Sequence, residues 1–435
     1  MNKTLRKFSV LILSGAILAA CGDDDDKNST TNIEPEFPTE FSDKTVEQNK
    51  SELQDNGIDL VNKLTTLKSS SGIQTSIAFS EHVDGATLPE SIGGRVASNS
   101  GVSLLQTLAE FGKGNATPGK VIDGMRINAD DEVSASEIYD ALKGTFTYSA
   151  GNNAWTFAQG GDKIIFKFPS TKTGTANNAE YALYDFKSAQ VTNTIDGQTY
   201  TNEYPTNLKA DLTVDGTKKM EYSFSVTYDS KGNPTNLTTS LKIDTFTFAY
   251  ALTNTTTEAK LDYSLTEGST VLFAVGARGK GSFTVGDVAD DTDDVVANAS
   301  AYFQILNVKF SGELDADALR TAVKAAKTEQ QVADAYNANY KLTVFYADSK
   351  KKIADGEFYV GKESSEDLVC TSGDGNHDGV ISPGEKICQW TMVEKDALEV
   401  RMVFADGSKA DLETYTSVGF ADLQTQLEKF VDSIQ

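Results

Sequence analysis

Alternation of apolar and polar residues with a period of two, over about residues 145–311, constrains the fold of this chain most strongly. It is clearest in LKADLTVDGTKKMEYSFSVTY, whose apolar positions are Leu208, Ala210, Leu212, Val214, Met220, Tyr222, Phe224, Val226 and Tyr228. This period is typical of strands with one buried face, and the Asp215-Gly216 pair between the two runs predicts an antiparallel hairpin. Because similar runs follow one another, residues 145–311 are predicted to form one antiparallel β-meander.

The phase of this alternation changes within LKIDTFTFAYAL. Leu241 and Ile243 occupy odd positions in the chain. Phe246 and Phe248 occupy even positions. One extra residue in a strand produces such a change, so the sequence predicts a β-bulge near Asp244.

The N-terminal region, residues 44–144, is predicted to be mainly helical. Apolar residues of TVEQNKSELQDNGIDLVNKLTTLKSS recur at helical spacing, namely Leu53, Leu60, Val61, Leu64 and Leu67. VSLLQTLAEFG (102–112) is a second candidate helix. Ser134 and Glu137 have the spacing of a capping box ahead of IYDALKG, which favours a third helix there.

The C-terminal region, residues 312–435, mixes both periods. It follows AYFQILNVKF (301–310), which is predicted to be a single strand, and opens with an Ala-rich segment predicted to be one helix (315–340). Two predicted hairpins and a closing amphipathic helix (420–434) complete it. With no repeat of fixed period, solenoids and propellers are not expected. The predicted fold class is therefore α+β, a large curved antiparallel β-meander covered by helices.

A short apolar segment predicts a secretory signal peptide over residues 1–20. Three basic residues precede an apolar stretch that ends at Ala20 and is short for a bilayer span. Its last residues and the next one, LAAC, resemble the lipobox of bacterial lipoproteins. The resemblance implies that Cys21 begins the mature chain and carries the lipid that attaches the protein to the membrane. An ordinary signal peptide with a chance cysteine is the alternative.

The residues after Cys21 suggest where the protein is located in the cell. CGDDDD is similar to the acidic export tract that follows the lipidated cysteine in surface lipoproteins of Bacteroidota. This resemblance implies an outer-membrane lipoprotein that faces the cell exterior; a solvated charge run on a periplasm-facing protein is the alternative. Polar residues rich in Ser, Thr and Pro continue to residue 43, so residues 21–43 are interpreted as export tract and flexible tether.

The overall charge limits the class of partner. The chain has 63 acidic and 39 basic residues, a formal net charge of −24. Such a surface repels phosphate backbones, so nucleic acid is not an expected partner. No segment after the signal approaches transmembrane length, which leaves the N-terminal lipid as the expected membrane attachment.

The remaining two cysteines, Cys370 and Cys388, form an even pair. In the oxidising compartment that a secretory signal implies, they are predicted to form a disulfide.

The twelve residues DGNHDGVISPGE (374–385) between these cysteines resemble the EF-hand calcium loop at every ligand position. The resemblance implies a Ca²⁺ ion held by hard oxygen ligands, with Gly379 at the sharp turn. The ligands would be side-chain oxygens of Asp374, Asn376, Asp378, Ser382 and Glu385 and the carbonyl oxygen of Val380. A polar turn without metal is the alternative.

The sequence on either side of this loop does not have the pattern of EF-hand helices. It favours a structural calcium, as in the helix-poor calcium loops of dockerins, over a sensor that opens on binding. In this interpretation the disulfide-framed segment 370–388 ties the loop ends that helices would otherwise hold.

Catalytic residues are not predicted. The two histidines, His82 and His377, are too few for a His-rich zinc site, and no free thiol remains. The acidic run over 287–294 is either a second cation site or a solvated loop. Three functions stay open: a non-catalytic surface lipoprotein that binds a glycan, peptide or partner protein, a carboxylate-based cell-surface hydrolase such as a glycosidase, and a structural component of an envelope complex. The first is preferred, because the sequence shows an anchor, a spacer and a scaffold without visible catalytic residues.

Overall fold

The computed structural model describes residues 35–84, 86, 134–195, 198–230, 232–283, 295–373, 386–411 and 425. The helices are α1 (Val46–Lys68), α2 (Ser71–Asp84), α3 (Ala135–Leu142), α4 (Ala316–Ala325) and α5 (Glu329–Asn339). The strands are β1 (Gly144–Ser149), β2 (Ala154–Gln159), β3 (Ile164–Phe168), β4 (Ala179–Ile195), β5 (Gln198–Val214), β6 (Thr217–Tyr228), β7 (Pro234–Ile243), β8 (Phe246–Asn254), β9 (Glu258–Glu267), β10 (Thr270–Gly281), β11 (Val296–Ile305), β12 (Val308–Asp315), β13 (Tyr340–Tyr346), β14 (Lys352–Ser372), β15 (Lys386–Val403) and β16 (Lys409–Asp411).

All of these strands belong to one open sheet. From β3 to β16, each strand lies beside its neighbours in the chain, and every such pair is antiparallel. At the other edge the order is β3-β1-β2, and β1 runs parallel to β3. The predicted fold class, a large antiparallel meander with helices, is confirmed. The prediction that residues 145–311 form one antiparallel meander is wrong at this edge, where β1 and β3 are parallel.

The hairpin predicted from LKADLTVDGTKKMEYSFSVTY is present as β5 and β6. Seven of its nine alternating apolar residues are buried in the core, with Leu212 fully so, and Val214 and Tyr228 are partly buried. Asp215 and Gly216 form the turn, and both have positive φ, 49° and 74°. A type I′ turn requires positive φ at both central residues, and its twist matches that of the strands. Here local turn chemistry and burial favour the same structure.

The predicted β-bulge near Asp244 is wrong. Asp244 and Thr245 form the turn between β7 and β8, with Asp244 at φ 50° and Ile243 paired with Phe246. Paired residues on antiparallel strands point to the same side of a sheet, and Ile243 and Phe246 are both buried. The change of phase in the sequence is therefore the reversal of the chain.

The single strand predicted over 301–310 is two strands, β11 and β12, joined by a turn at Leu306 and Asn307. Leu306 has a φ of 47°, which is unusual for an apolar residue. Its side chain is buried in the main core, and its amide donates to the carbonyl of Leu272 at 3.0 Å. Tertiary packing thus holds a turn that lacks Gly, Pro and Asp.

The single helix predicted over 315–340 is also divided, into α4 and α5. The break ends at Thr328, whose hydroxyl accepts a hydrogen bond from the amide of Gln331 at 3.2 Å. The Gln331 side chain accepts in return from the amide of Lys327 at 2.7 Å. The first bond satisfies an amide in the first turn of α5, and the second ties the residue before the cap to that turn, so both favour a new helix start over continuation.

Local capping also explains the first helices. Thr45 caps α1 in a capping box with Gln48. The capping box predicted for Ser134 and Glu137 is confirmed at the start of α3. The helices predicted over 102–112 and 420–434 lie outside the described ranges, apart from Thr425, which is helical.

The main core lies between α1–α3 and strands β1–β10. Phe79 of α2 is central, with its ring centroid 5.6, 4.9 and 5.7 Å from those of Phe166, Phe168 and Tyr181. A smaller cluster lies under the start of α1; its buried members are Val308, Val344, Tyr346, Ile353, Ala354, Met402 and Phe404. The two clusters fix both halves of the sheet against the N-terminal helices.

Candidate functional site

The segment that carries the predicted calcium loop is a two-stranded extension of the sheet. In the described part of the chain, β14 pairs with β13 only as far as Asp355, and β15 pairs with β16 only from Arg401 onward. Residues 358–372 and 386–400 are therefore paired only with each other there, and we call them the ribbon. Long strand pairs are easily bent or frayed unless something fastens their far end.

The predicted disulfide fastens this far end. Cys370 and Cys388 are directly paired across the ribbon, with 4.0 Å between their Cα atoms, and their sulfurs are bonded. Two further pairs follow, and the last joins Ser372 to Lys386. The chain ends that enter and leave the predicted loop are thus held side by side.

The predicted calcium ligands themselves (Asp374, Asn376, Asp378, Val380, Ser382 and Glu385) lie outside the described residues, as do Cys21 and the acidic run over 287–294. The flanks of the loop are described, and they are strands. The expectation that helices do not flank this loop is confirmed. Gly373 allows close packing at its base, because a Cβ there would be 2.7 Å from the Cδ1 of Ile387.

One face of the ribbon carries large exposed apolar side chains near the disulfide. Leu368, Trp390 and Met392 are 48%, 69% and 64% exposed. Leu368 pairs with Trp390, which is two residues from both Cys388 and Met392 on β15. Residues two apart on a strand point to the same side, so all three side chains lie on the face that carries the disulfide. We call these three side chains the outer strip. Sequence reasoning missed it, and its only sequence signal is WTM within a polar strand.

The inner part of the same face is covered by α5. The ring centroid of Phe358 lies 4.9 Å from that of Tyr336 and 5.3 Å from that of Tyr340. The Asn337 side chain donates to the carbonyl of Phe358 at 2.8 Å and accepts from its amide at 2.7 Å. These two bonds occupy the backbone edge of β14 where β13 has ended, which protects that edge from pairing with another chain.

The opposite face at the base of the ribbon is polar. Glu357 lies 2.7 Å from the Arg401 Nε and 2.7 Å from the Lys409 Nζ. Hydrogen bonds from Arg401 and then Lys409 hold the pKa of the Glu357 carboxyl below its usual value. Because the three residues lie on β14, β15 and β16, this network joins the short outer strand to the ribbon.

Two carboxylates also meet on this polar face. The Tyr359 hydroxyl lies 2.6 Å from Glu399 Oε2 and 2.7 Å from Asp411 Oδ1. Desolvation, and then the hydrogen bonds with Asp411 and Glu399, raise the pKa of the Tyr359 phenol. Both carboxylates are thus engaged with the phenol, which makes the group a link between β14, β15 and β16.

His82 has a structural role in the contact between α2 and the sheet. It is buried on α2, with its Nε2 3.2 Å from the carbonyl oxygens of both Pro169 and Thr171. Its own carbonyl accepts from the indole of Trp155 at 2.9 Å. These contacts fix α2 to the sheet. Within the ranges the structure describes, no three His, Cys, Asp or Glu side chains are grouped to hold a metal ion.

Comparison with protein-family models, curated proteins and solved structures gives no match to this chain. Among the helices described, none is both long and apolar enough to cross a bilayer.

Proposed function

We propose that this chain is a non-catalytic lipoprotein of the outer-membrane surface that binds an extracellular ligand through its ribbon. The outer strip carries the proposal. Burying apolar area contributes about 25 cal/mol per Å², so three large apolar side chains left in water at the end of a fastened ribbon are typical of a surface that another molecule covers. The disulfide supports this role, because it keeps the three side chains in register.

The lipid anchor on Cys21 and the location on the outer surface of the cell are part of the same proposal. A lipid on Cys21, the acidic tract that follows it and a polar tether would place the ribbon outside the cell. The tether is shorter than the predicted 21–43, because the Ser42 amide donates to the carbonyl of Lys352 at 2.8 Å and the Lys352 amide donates to the carbonyl of Glu40 at 2.8 Å. Acyl chains contribute about 0.8 kcal/mol per buried methylene, so several on one cysteine make a firm anchor.

We further propose that the loop at the end of the ribbon holds a structural Ca²⁺ ion, with Glu385 closing the ligand shell. The pairing of Ser372 with Lys386 supports this role, since ligands on a loop whose ends are held need less ordering on binding. Three carboxylates are a modest charge count, so we expect affinity in the extracellular range, about 10⁻⁴–10⁻³ M.

Calorimetry with calcium tests the metal site. Glu385→Gln removes the closing charge and should weaken calcium binding by at least about tenfold. His377→Ala is the matched control in the same loop and should leave it unchanged. Absence of calcium uptake at several millimolar, or uptake indifferent to Glu385→Gln, would contradict the site.

A structural role in an envelope complex is the second candidate, since a flat apolar strip also suits a permanent partner protein. Binding arrays of glycans and peptides, probed with the mature chain (21–435) carrying Cys21→Ala, test ligand binding. We expect binding that Trp390→Ser and Met392→Ser each weaken by about tenfold or more. Binding that survives both substitutions, or hydrolysis of any arrayed compound, would overturn the proposal.

A further inference from the structure

The outer strip combines apolar side chains with an excess of negative charge. On the same face of the ribbon, Glu366 pairs directly with Met392, and Glu394 lies one alternate position further along β15. The neighbouring pair on this face, Lys362 and Asp396, is joined by an ion pair. Its charges cancel. Lys386, which pairs with Ser372 beyond the disulfide, lies on the same face, so the face keeps one net negative charge, and the carboxylates of Glu366 and Glu394 lie on the side of the strip nearer the sheet.

We propose that the outer strip binds a cationic amphipathic polypeptide segment, one that presents apolar side chains together with Lys or Arg. This inference rests on the proposed function and names the class of its ligand. Apolar contacts with Leu368, Trp390 and Met392 would supply the affinity. Glu366 and Glu394 would pair with the basic residues, orient the segment and speed its approach.

Charge argues against the two other macromolecular occupants of such a strip. A second copy of this chain would bring a strip with the same net negative charge, in a protein whose formal net charge is −24. An anionic lipid surface would meet the same repulsion. A positively charged polypeptide would be attracted to the carboxylates of Glu366 and Glu394 and would not meet this repulsion.

The side chains on these positions also disfavour a glycan. The three pairs that hold the strip and the disulfide are Glu366 with Met392, Leu368 with Trp390, and Cys370 with Cys388. Within these three pairs the indole N–H is the only hydrogen-bond donor, and the hydroxyls of Ser364 and Ser372 and the ammonium of Lys386 lie one pair away on either side. Sugar recognition usually combines an aromatic ring with several such groups, whereas an apolar side chain flanked by Lys or Arg needs only the ring and the carboxylates.

Trp390 provides the measurement. The chain has two tryptophans, and Trp155 is buried in the core. The mature chain (21–435) with Cys21→Ala is titrated with three decapeptides, alternating Lys/Leu, Glu/Leu and Lys/Ser, while tryptophan emission is recorded. We expect a saturable blue shift with Lys/Leu, binding at least about tenfold weaker for the other two, and weakening as salt is raised.

Matched variants separate the apolar and charged contributions. Glu366→Gln should weaken Lys/Leu binding about two- to fivefold and reduce its salt dependence. Glu363→Gln, on the opposite face of the same strand, is the control and should leave binding unchanged. Met392→Ser should weaken binding by about tenfold or more while leaving Trp390 as reporter.

Equal binding of the Lys/Leu and Glu/Leu peptides, or an effect of Glu363→Gln as large as that of Glu366→Gln, would overturn the cationic class. Self-association of the chain that Met392→Ser abolishes would also overturn it. Glycan binding that depends on Trp390 would show that the ligand is not a cationic polypeptide and would leave the proposed function standing. Failure of every glycan and peptide to bind through the strip would overturn both.

Discussion

Reduction of the Cys370–Cys388 disulfide is expected to destabilise the ribbon without loosening the rest of the sheet. In the described structure the ribbon strands pair only with each other, so they can open while β5 and β6 stay paired. With the disulfide intact, the opened ribbon is still closed at its far end. Reduction removes that restriction and makes the opened state more favourable.

The sequence separation of the two cysteines sets the magnitude. They are 18 residues apart, and cross-linking a loop of this size costs the open chain about 3 kcal/mol of conformational entropy. The free energy of opening should fall by this amount on reduction. Since about 1.4 kcal/mol corresponds to a factor of ten, hydrogen-exchange protection of ribbon amides should fall about 100-fold.

Hydrogen exchange with mass spectrometry measures this on the mature chain with Cys21→Ala, compared before and after reduction and alkylation. Residues 358–372 and 386–400 should lose protection, while peptides from β5 and β6 serve as the internal control and keep theirs. A similar loss in β5 and β6 would show that the ribbon does not open by itself. An unchanged ribbon would show that its stability does not depend on the disulfide.

Three further predictions concern the core, the ion pairs and the anchor. Leu212→Ala should lower the free energy of unfolding by about 2–5 kcal/mol, and Leu368→Ala by less than about 1 kcal/mol, because only Leu212 is fully buried. Chemical denaturation measures both values, and equal effects of the two substitutions would contradict this. The lowered pKa of Glu357 implies stability that is present above the usual carboxyl pKa of 4.5 and is lost as the pH falls through the folded-state value. Thermal unfolding of Glu357→Gln and the parent chain should therefore converge on acidification, and a gap that persists at low pH would refute the ion-pair account. Cys21→Ala should release the protein from membranes, and protease added to intact cells should degrade the parent; full protection would contradict outward orientation.

The sequence by itself determined the features that depend on neighbouring residues. The type I′ turn at Asp215-Gly216 and the capping box at Ser134 were predictable because their hydrogen bonds and dihedrals involve only adjacent residues. Burial of alternate residues in β5 and β6 was predictable for the same reason, since a strand exposes its two faces in turn. The pairing of Cys370 with Cys388 followed from their number and the secretory signal.

Contacts between distant segments decided the rest. Leu306 lies in a turn because the core buries it, and the parallel pairing of β1 with β3 depends on a strand order that alternation does not encode. The WTM motif places Trp390 and Met392 on one face, but the sequence does not show that α5 packs against Phe358, nearer the sheet, while Trp390 and Met392 stay exposed. Whether an apolar residue is core or interaction surface depends on what packs against it, and that partner can be far away in the chain.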